Sequence, residues 1–390
     1  MARVSRAIDS DVFIFAVLLA GYSLFTLAVG GVVMGYDSYA YERWADTLLG
    51  VRFNYASFFQ SPAIRPLHAF RIGFITLIAL TKMLCGDRWQ IALIATNHLA
   101  SAFAGVLLVR ITRLVTGLRI AAWLSLGFYG MSFDVAHWNR FVLSDSTFLL
   151  LSFAVFFFAV RAIVTEDRPT ARWISAAVLS LLAIFYRPTG CVVIVPLIYS
   201  FFSRSRRTRG HAVSFVKTMI VFVLVAVMAF AAAALIVKEP ARWPFRLGSK
   251  QIRMLSLRTG SGEVVEVHVY RPPPQRFGDF LVLYMDKFVR FFQITASDFS
   301  PRHNAYLLLF FVPLYGCALA AITWMAIQRR IGGREIAILV ALVEILSFAL
   351  FHALTIVDSI WRYRVPILPH LILLAAFGLA KTYSPRAINN

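Results

Sequence analysis

Apolar runs recur along the chain at 12–34, 67–84, 91–109, 120–138, 147–163, 173–187, 189–202, 212–237, 305–327, 335–356 and 365–382. At about 1.5 Å of rise per residue, most approach the length that crosses a hydrocarbon core of roughly 30 Å. The polar segments between them are short and basic. Arg110, Arg113 and Arg119 follow the third run, and Arg161, Arg168 and Arg172 the fifth. Arg204, Arg206, Arg207 and Arg209 follow the seventh, and Arg329, Arg330 and Arg334 the ninth. Arg3 and Arg6 open the chain, and Lys381 and Arg386 lie near its end.

If every run crosses, the first arginine pair falls opposite all later clusters. If 67–84 stays on the surface, all six clusters share one side, which the positive-inside rule makes cytoplasmic. That run is also unusual in content, carrying His68, Arg71 and Lys82. It reads as an amphipathic helix on the outer surface. The expected fold is an all-α polytopic membrane protein with about ten transmembrane helices, amphipathic juxtamembrane helices on the outer face and a small periplasmic loop subdomain. Residues 1–237 form an N-terminal membrane module, 238–304 a long periplasmic loop and 305–390 the C-terminal transmembrane helices. Within the loop, 250–274 alternates around Gly-Ser-Gly like a hairpin, and 278–294 has the spacing of a second surface helix.

Composition agrees with this pattern. The 390 residues are 59% hydrophobic and 15% charged, with mean hydropathy +0.73. Soluble domains carry roughly 25% charge. The formal charge of +20 would suit a nucleic-acid partner, but the arginines sit where topology signals sit, so no nucleic acid is expected. Cys85, Cys191 and Cys317 have no metal-ligand spacing and read as ordinary apolar positions.

The candidate chemistry gathers on the outer face. Asp37, in GYDSYAYERWAD, falls just past the first crossing, and Asp145, in HWNRFVLSDS, just before a later one. An ionised carboxylate beside hydrocarbon needs a partner or a task. Arg140, Arg187, Arg362 and Arg364 stand at span boundaries on the same side, and arginine offers phosphate a planar pair of donors. The RYRVPILP stretch places Tyr363 between two of them, ahead of a Pro-marked helix start. Arg65, His68 and Lys287 are further candidates for substrate binding. Glu344, in the middle of a span, reads as a protonated acid bonded to a neighbouring helix.

In order and in side, these segments resemble the GT-C superfamily of polytopic glycosyltransferases, which includes protein O-mannosyltransferases and aminoarabinose transferases. The matching pieces are GYDSYAYERWA, SPAIRPLHAF, RFVLSDSTFLLL, IFYRPTG and RYRVPILPHLILLA. The resemblance implies a membrane enzyme that moves a sugar from a polyprenyl-phosphate donor to a hydroxyl of a lipid, glycan or protein on the periplasmic face of a bacterial inner membrane, both termini being cytoplasmic. It makes Asp37 the general base of an inverting displacement and Asp145 a second acid that orients substrate or helps to hold a metal. Some relatives carry paired acids in the first loop where this chain has Asp37-Ser38, so a divalent metal is left open and no cofactor is required. The competing expectation is a transporter or flippase for polyprenyl-linked glycans, which would need charged or broken helices in mid-membrane.

Overall fold

The computed structural model describes residues 10–64, 66–165, 167–208, 277–297, 299–328, 332–355 and 361–383. Helix α1 spans Asp11–Ala28, capped by Ser10 Oγ, which accepts from Phe13 N–H. Short helices α2 (Tyr36–Gly50) and α3 (Tyr55–Gln60) precede α4 (Ile72–Cys85) and the long α5 (Trp89–Thr116). Next come α6 (Arg119–Gly130), α7 (Phe133–Asn139), α8 (Asp145–Val164) and α9 (Pro169–Tyr186). A 3-10 segment, Pro188–Val193, leads into α10 (Ile194–Thr208). Beyond the undescribed residues stand α11 (Phe277–Phe291), α12 (Pro301–Ile327), α13 (Gly333–Thr355) and α14 (Leu368–Tyr383). A 3-10 turn, Trp361–Ile367, joins the last two. Among the described residues there is no strand, only one bridge between Val33 and Phe141.

Seven stretches are long and apolar enough to cross a membrane: 11–28, 68–116, 145–164, 169–186, 301–327, 333–354 and 362–382. The chain is an α-helical integral membrane protein by this measure. Ion pairs mark one end of the bundle. Arg110 pairs with Asp11, Arg172 with Asp167 and Lys381 with Glu335. The other end gathers the close of α1, the start of α8, the close of α9 and the turn 361–367. We call it the site end.

The run at 67–84 forms a 3-10 segment, Pro66–Arg71, followed by α4. At fourteen residues α4 is about 21 Å long, short of the bilayer core. Its Gly73 lies against Tyr186 at the site end of α9, and α5 begins only three residues after α4 stops. Both ends of α4 are therefore at the site end. It buries Phe74, Ile75, Ile78 and Ala79 against α2, α5 and α9, and Lys82 reaches Glu42 at 3.3 Å and Asp46 at 2.5 Å on α2.

Two expectations change. The run at 120–138 is not one helix: it breaks at residues 131–132, where Ser132 caps α7. The run at 189–202 starts as a 3-10 segment before α10. Only glycine at 190 permits this, since a Cβ there would lie 2.1 Å from the Ala183 carbonyl oxygen. Cys85 and Cys191 are exposed and Cys317 is half-buried, and none of the three is in a disulfide. The surface helix expected at 278–294 is α11, while the crossing at 212–237 and the hairpin at 250–274 fall outside the described residues.

The core lies between α5, α8, α13 and α14. Buried residues make up 83% of the most apolar part of α13 and 89% of that of α14, against 22% for α1 and for α9. The N-terminal and C-terminal modules thus share one interior, with α14 packed on α5, α6 and α12.

Candidate functional site

Two acids meet because two helix starts meet. The segment leaving α1 runs beside the one entering α8: Val33 N–H donates to Arg140 O at 2.9 Å, and Val142 N–H to Val33 O at 3.1 Å. Just beyond this seam α2 and α8 begin, with Asp37 and Asp145 each in a first turn. Unpaired backbone N–H groups and the positive end of the helix dipole favour a carboxylate there. Gly35 N–H donates to Ser38 Oγ at 2.9 Å, which fixes how α2 starts.

Arg362 stands between the acids. Its Nε donates to Asp145 Oδ1 at 3.2 Å and Oδ2 at 3.1 Å, and its Nη1 to Asp37 Oδ2 at 3.3 Å. Arg187, at the C-cap of α9, reaches Asp145 Oδ1 through Nη1 at 2.5 Å. The result is a charge-balanced chain, Asp37–Arg362–Asp145–Arg187. Its two acids differ in exposure: the Asp145 side chain is 0% exposed and the Asp37 side chain 46%. Asp145, closed over by two guanidiniums, is placed to hold arginines rather than to touch a substrate. Asp37 is the acid that an incoming molecule can reach.

Arg362, Tyr363 and Arg364 leave the turn in three directions, as a repeat of three residues per turn requires. Tyr363 stacks on His352 of α13 with ring centroids 4.5 Å apart, and the Arg187 guanidinium lies 5.6 Å from its ring. Arg364 turns inward. Its Nε and Nη2 donate to Asp134 Oδ2 at 3.3 and 3.1 Å, its Nη1 donates to the Gln293 carbonyl, and its guanidinium lies 4.2 Å from the Phe311 ring centre. Expected on an open rim, Arg364 is instead 1% exposed.

No family model, curated protein or solved structure matches this chain. The site therefore rests on its own geometry.

The other expected residues divide. Arg140 does not join the acids: its Nη1 donates to the Val29 carbonyl at the end of α1, because the 139–142 connection faces that helix. His68 stacks on Trp44 at 4.0 Å, beside Arg71, whose guanidinium is 5.6 Å from the Tyr41 ring; together they anchor the 3-10 segment on α2. Lys287 is buried on α11, next to the Phe291 ring that stacks on His352 at 5.4 Å. Arg65 lies outside the described residues. Among the described residues no group of three or more His, Cys, Asp or Glu side chains could hold a metal ion. Asp37 and Asp145 are bridged by a guanidinium, which occupies the place a shared cation would take.

Two residues escaped the sequence reading. Asp134 sits inside the apolar run 120–138, and the rule that flagged Glu344, a lone acid in a span, would have found it. His352 carried no spacing signal, and only the packing of α13 on the turn exposes its role. Glu344 lies 3.1 Å from His370 Nε2 on the neighbouring α14, but neither of its carboxylate oxygens makes a hydrogen bond, so the bonded acid expected there is not what the structure shows.

A half-open cavity of about 550 Å³ lies between α1, α6 and α7, lined by none of the acids or arginines of the cluster. Its lining is apolar, including Val17, Phe25, Leu126 and Phe133, with Tyr306 of α12 at one end.

Proposed function

We propose that the chain is an integral-membrane glycosyltransferase of GT-C type, moving a sugar from a polyprenyl-phosphate donor to an acceptor hydroxyl with inversion. The observation that carries this reading is a reachable carboxylate, Asp37, 3.3 Å from a guanidinium locked in place by a second, buried acid. That is a base beside a phosphate ligand. In the reaction Asp37 takes the proton of the acceptor hydroxyl, and the freed oxygen attacks the anomeric carbon. The bond from that carbon to the phosphate oxygen breaks, and its electron pair stays on the phosphate, which Arg362 stabilises. The proton on Asp37 then passes to water. Arg187 and Asp145 keep Arg362 in register, and Tyr363 and His352 form the wall beside it. The apolar cavity suits a stretch of the polyprenyl chain.

The same reading has about ten crossings, with the site end facing the periplasm of a bacterial inner membrane and both termini in the cytoplasm. Two described positions support the parity. Phe201 of α10 packs on Trp173 at the end opposite the site, whereas Gln293, after the undescribed residues, contacts Arg364 at the site end.

Among the described residues the buried Glu344–His370 pair favours the flippase instead, since polar side chains of this type deep in a bundle often mark a transport path. The deciding experiment offers purified protein a panel of radiolabelled polyprenyl-phosphate sugars with a membrane lipid extract as acceptor. Transfer by the wild type, lost in Asp37→Asn, is the expected result. Movement of labelled lipid between proteoliposome leaflets without transfer would select the flippase.

A further inference from the structure

The pair of arginines in the 361–367 turn does two different jobs, and the residue that separates them is on another helix. We propose that Asp134 is a positioning residue: through its buried ion pair with Arg364 it sets the rotation of the turn and so holds Arg362 against Asp37 and Asp145. Its catalytic meaning rests on the reading of Arg362 as the phosphate ligand.

The geometry makes α7 a bracket. Ser132 Oγ accepts from Val135 N–H at 3.3 Å and fixes the start of this seven-residue helix. From its first turn Asp134 grips Arg364, and from its last turn Trp138 places its ring 5.5 Å from the Arg362 guanidinium. One rigid element therefore touches both arginines. In a 3-10 turn, successive side chains are about 120° apart, so a rotation of the turn that carries Arg364 outward also carries Arg362 off the acids. Asp134 and Arg364 are each 1% exposed. Without the carboxylate, a buried guanidinium would be uncompensated, and turning it toward water is the ready escape. Asp134 is the carboxylate that meets Arg364: its other contacts among the described residues, the Gln293 carbonyl, the Tyr315 hydroxyl and the Phe311 ring face, are uncharged.

A purely structural role predicts loss of stability alone, so the test reads position. Asp37→Cys and Arg362→Cys are combined in a chain whose three native cysteines are replaced by alanine. Cross-linking by a short bifunctional methanethiosulfonate is then measured with and without Asp134→Asn. The yield is expected to fall about fivefold or more with Asp134→Asn and to persist with Asp134→Glu. Asp134→Leu with Arg364→Met refolds the site around apolar contacts, so it keeps stability while the yield stays low. Glu335→Gln, which breaks a partly buried pair of 3.2 Å at the opposite end, serves as the comparison and leaves the yield unchanged.

In the native-site protein, binding of a polyprenyl monophosphate should weaken about tenfold with Asp134→Asn, a shift of about 1.4 kcal/mol. Unchanged cross-linking with Asp134→Asn, or an equal loss in Glu335→Gln, overturns the proposal. The expected cross-linking pattern in the double-cysteine proteins, together with a native-site protein that binds no polyprenyl phosphate, overturns the transferase reading and leaves the positioning role intact.

Discussion

Asp37 and Asp145 look equivalent as letters, each an acid at a helix start, and the structure gives them opposite burdens. Asp37→Asn removes a half-exposed partner of one arginine, so stability should change by only about 0–1 kcal/mol. Transfer should nevertheless fall by about 10²–10⁴-fold if Asp37 is the base. Asp145→Asn strands the buried Arg187 and leaves Arg362 only the half-exposed Asp37, so it should cost about 3–5 kcal/mol. Denaturant unfolding in detergent, run beside the transfer assay, separates the two; a reversed order of stability losses would refute this division. The charged cluster was legible because acids and arginines beside apolar runs are costly and conspicuous. Its internal wiring was not. Arg140 and Arg364 share composition and location with Arg187 and Arg362, yet one faces α1 and the other the interior. Side-chain direction depends on how a turn winds, which spacing along the chain does not encode.

Helices were legible to the extent that crossing lipid is a problem of length. The runs that became α1, α5, α8, α9, α12, α13 and α14 are long and apolar enough for that test. The break at 131–132 was less visible, because a Ser cap inside an apolar run adds little polarity. Contact between helices is a separate matter of shape. A Cβ added to Gly378 of α14 would lie 2.1 Å from the Cys317 carbonyl oxygen of α12, a backbone atom that cannot step aside. Small residues allow such close approach where apolar burial gives no drive between helices. Gly378→Ala should therefore destabilise by about 1–3 kcal/mol despite the better helix propensity of alanine. Gly316→Ala on α12, where a Cβ meets nothing within 4 Å, should be neutral or stabilising by the same unfolding measurement.

At the scale of the molecule, orientation is the open quantity, and the two ends give it a simple assay. Tyr39→Cys lies exposed on α2 at the site end, and Thr170→Cys lies exposed at the start of α9 at the other. With the native cysteines replaced, a membrane-impermeant maleimide applied to whole cells should label the first and spare the second. The reverse pattern would place the chemistry in the cytoplasm. Charge placement made the two ends readable in advance; the order of helices from rim to centre was not, since lipid-facing and protein-facing residues are equally apolar. That order has a consequence for biosynthesis. A ribosome delivers the peripheral α1 first and the deeply enclosed α13 and α14 last among the described helices, so the earlier ones must wait in the bilayer around an unfilled middle. Arg362 arrives with the helix that fills it. A nascent chain thus holds Asp37 and Asp145 apart from Arg362 until assembly is nearly finished, and a product stopped before residue 361 should be captured by quality-control proteases rather than linger half-assembled.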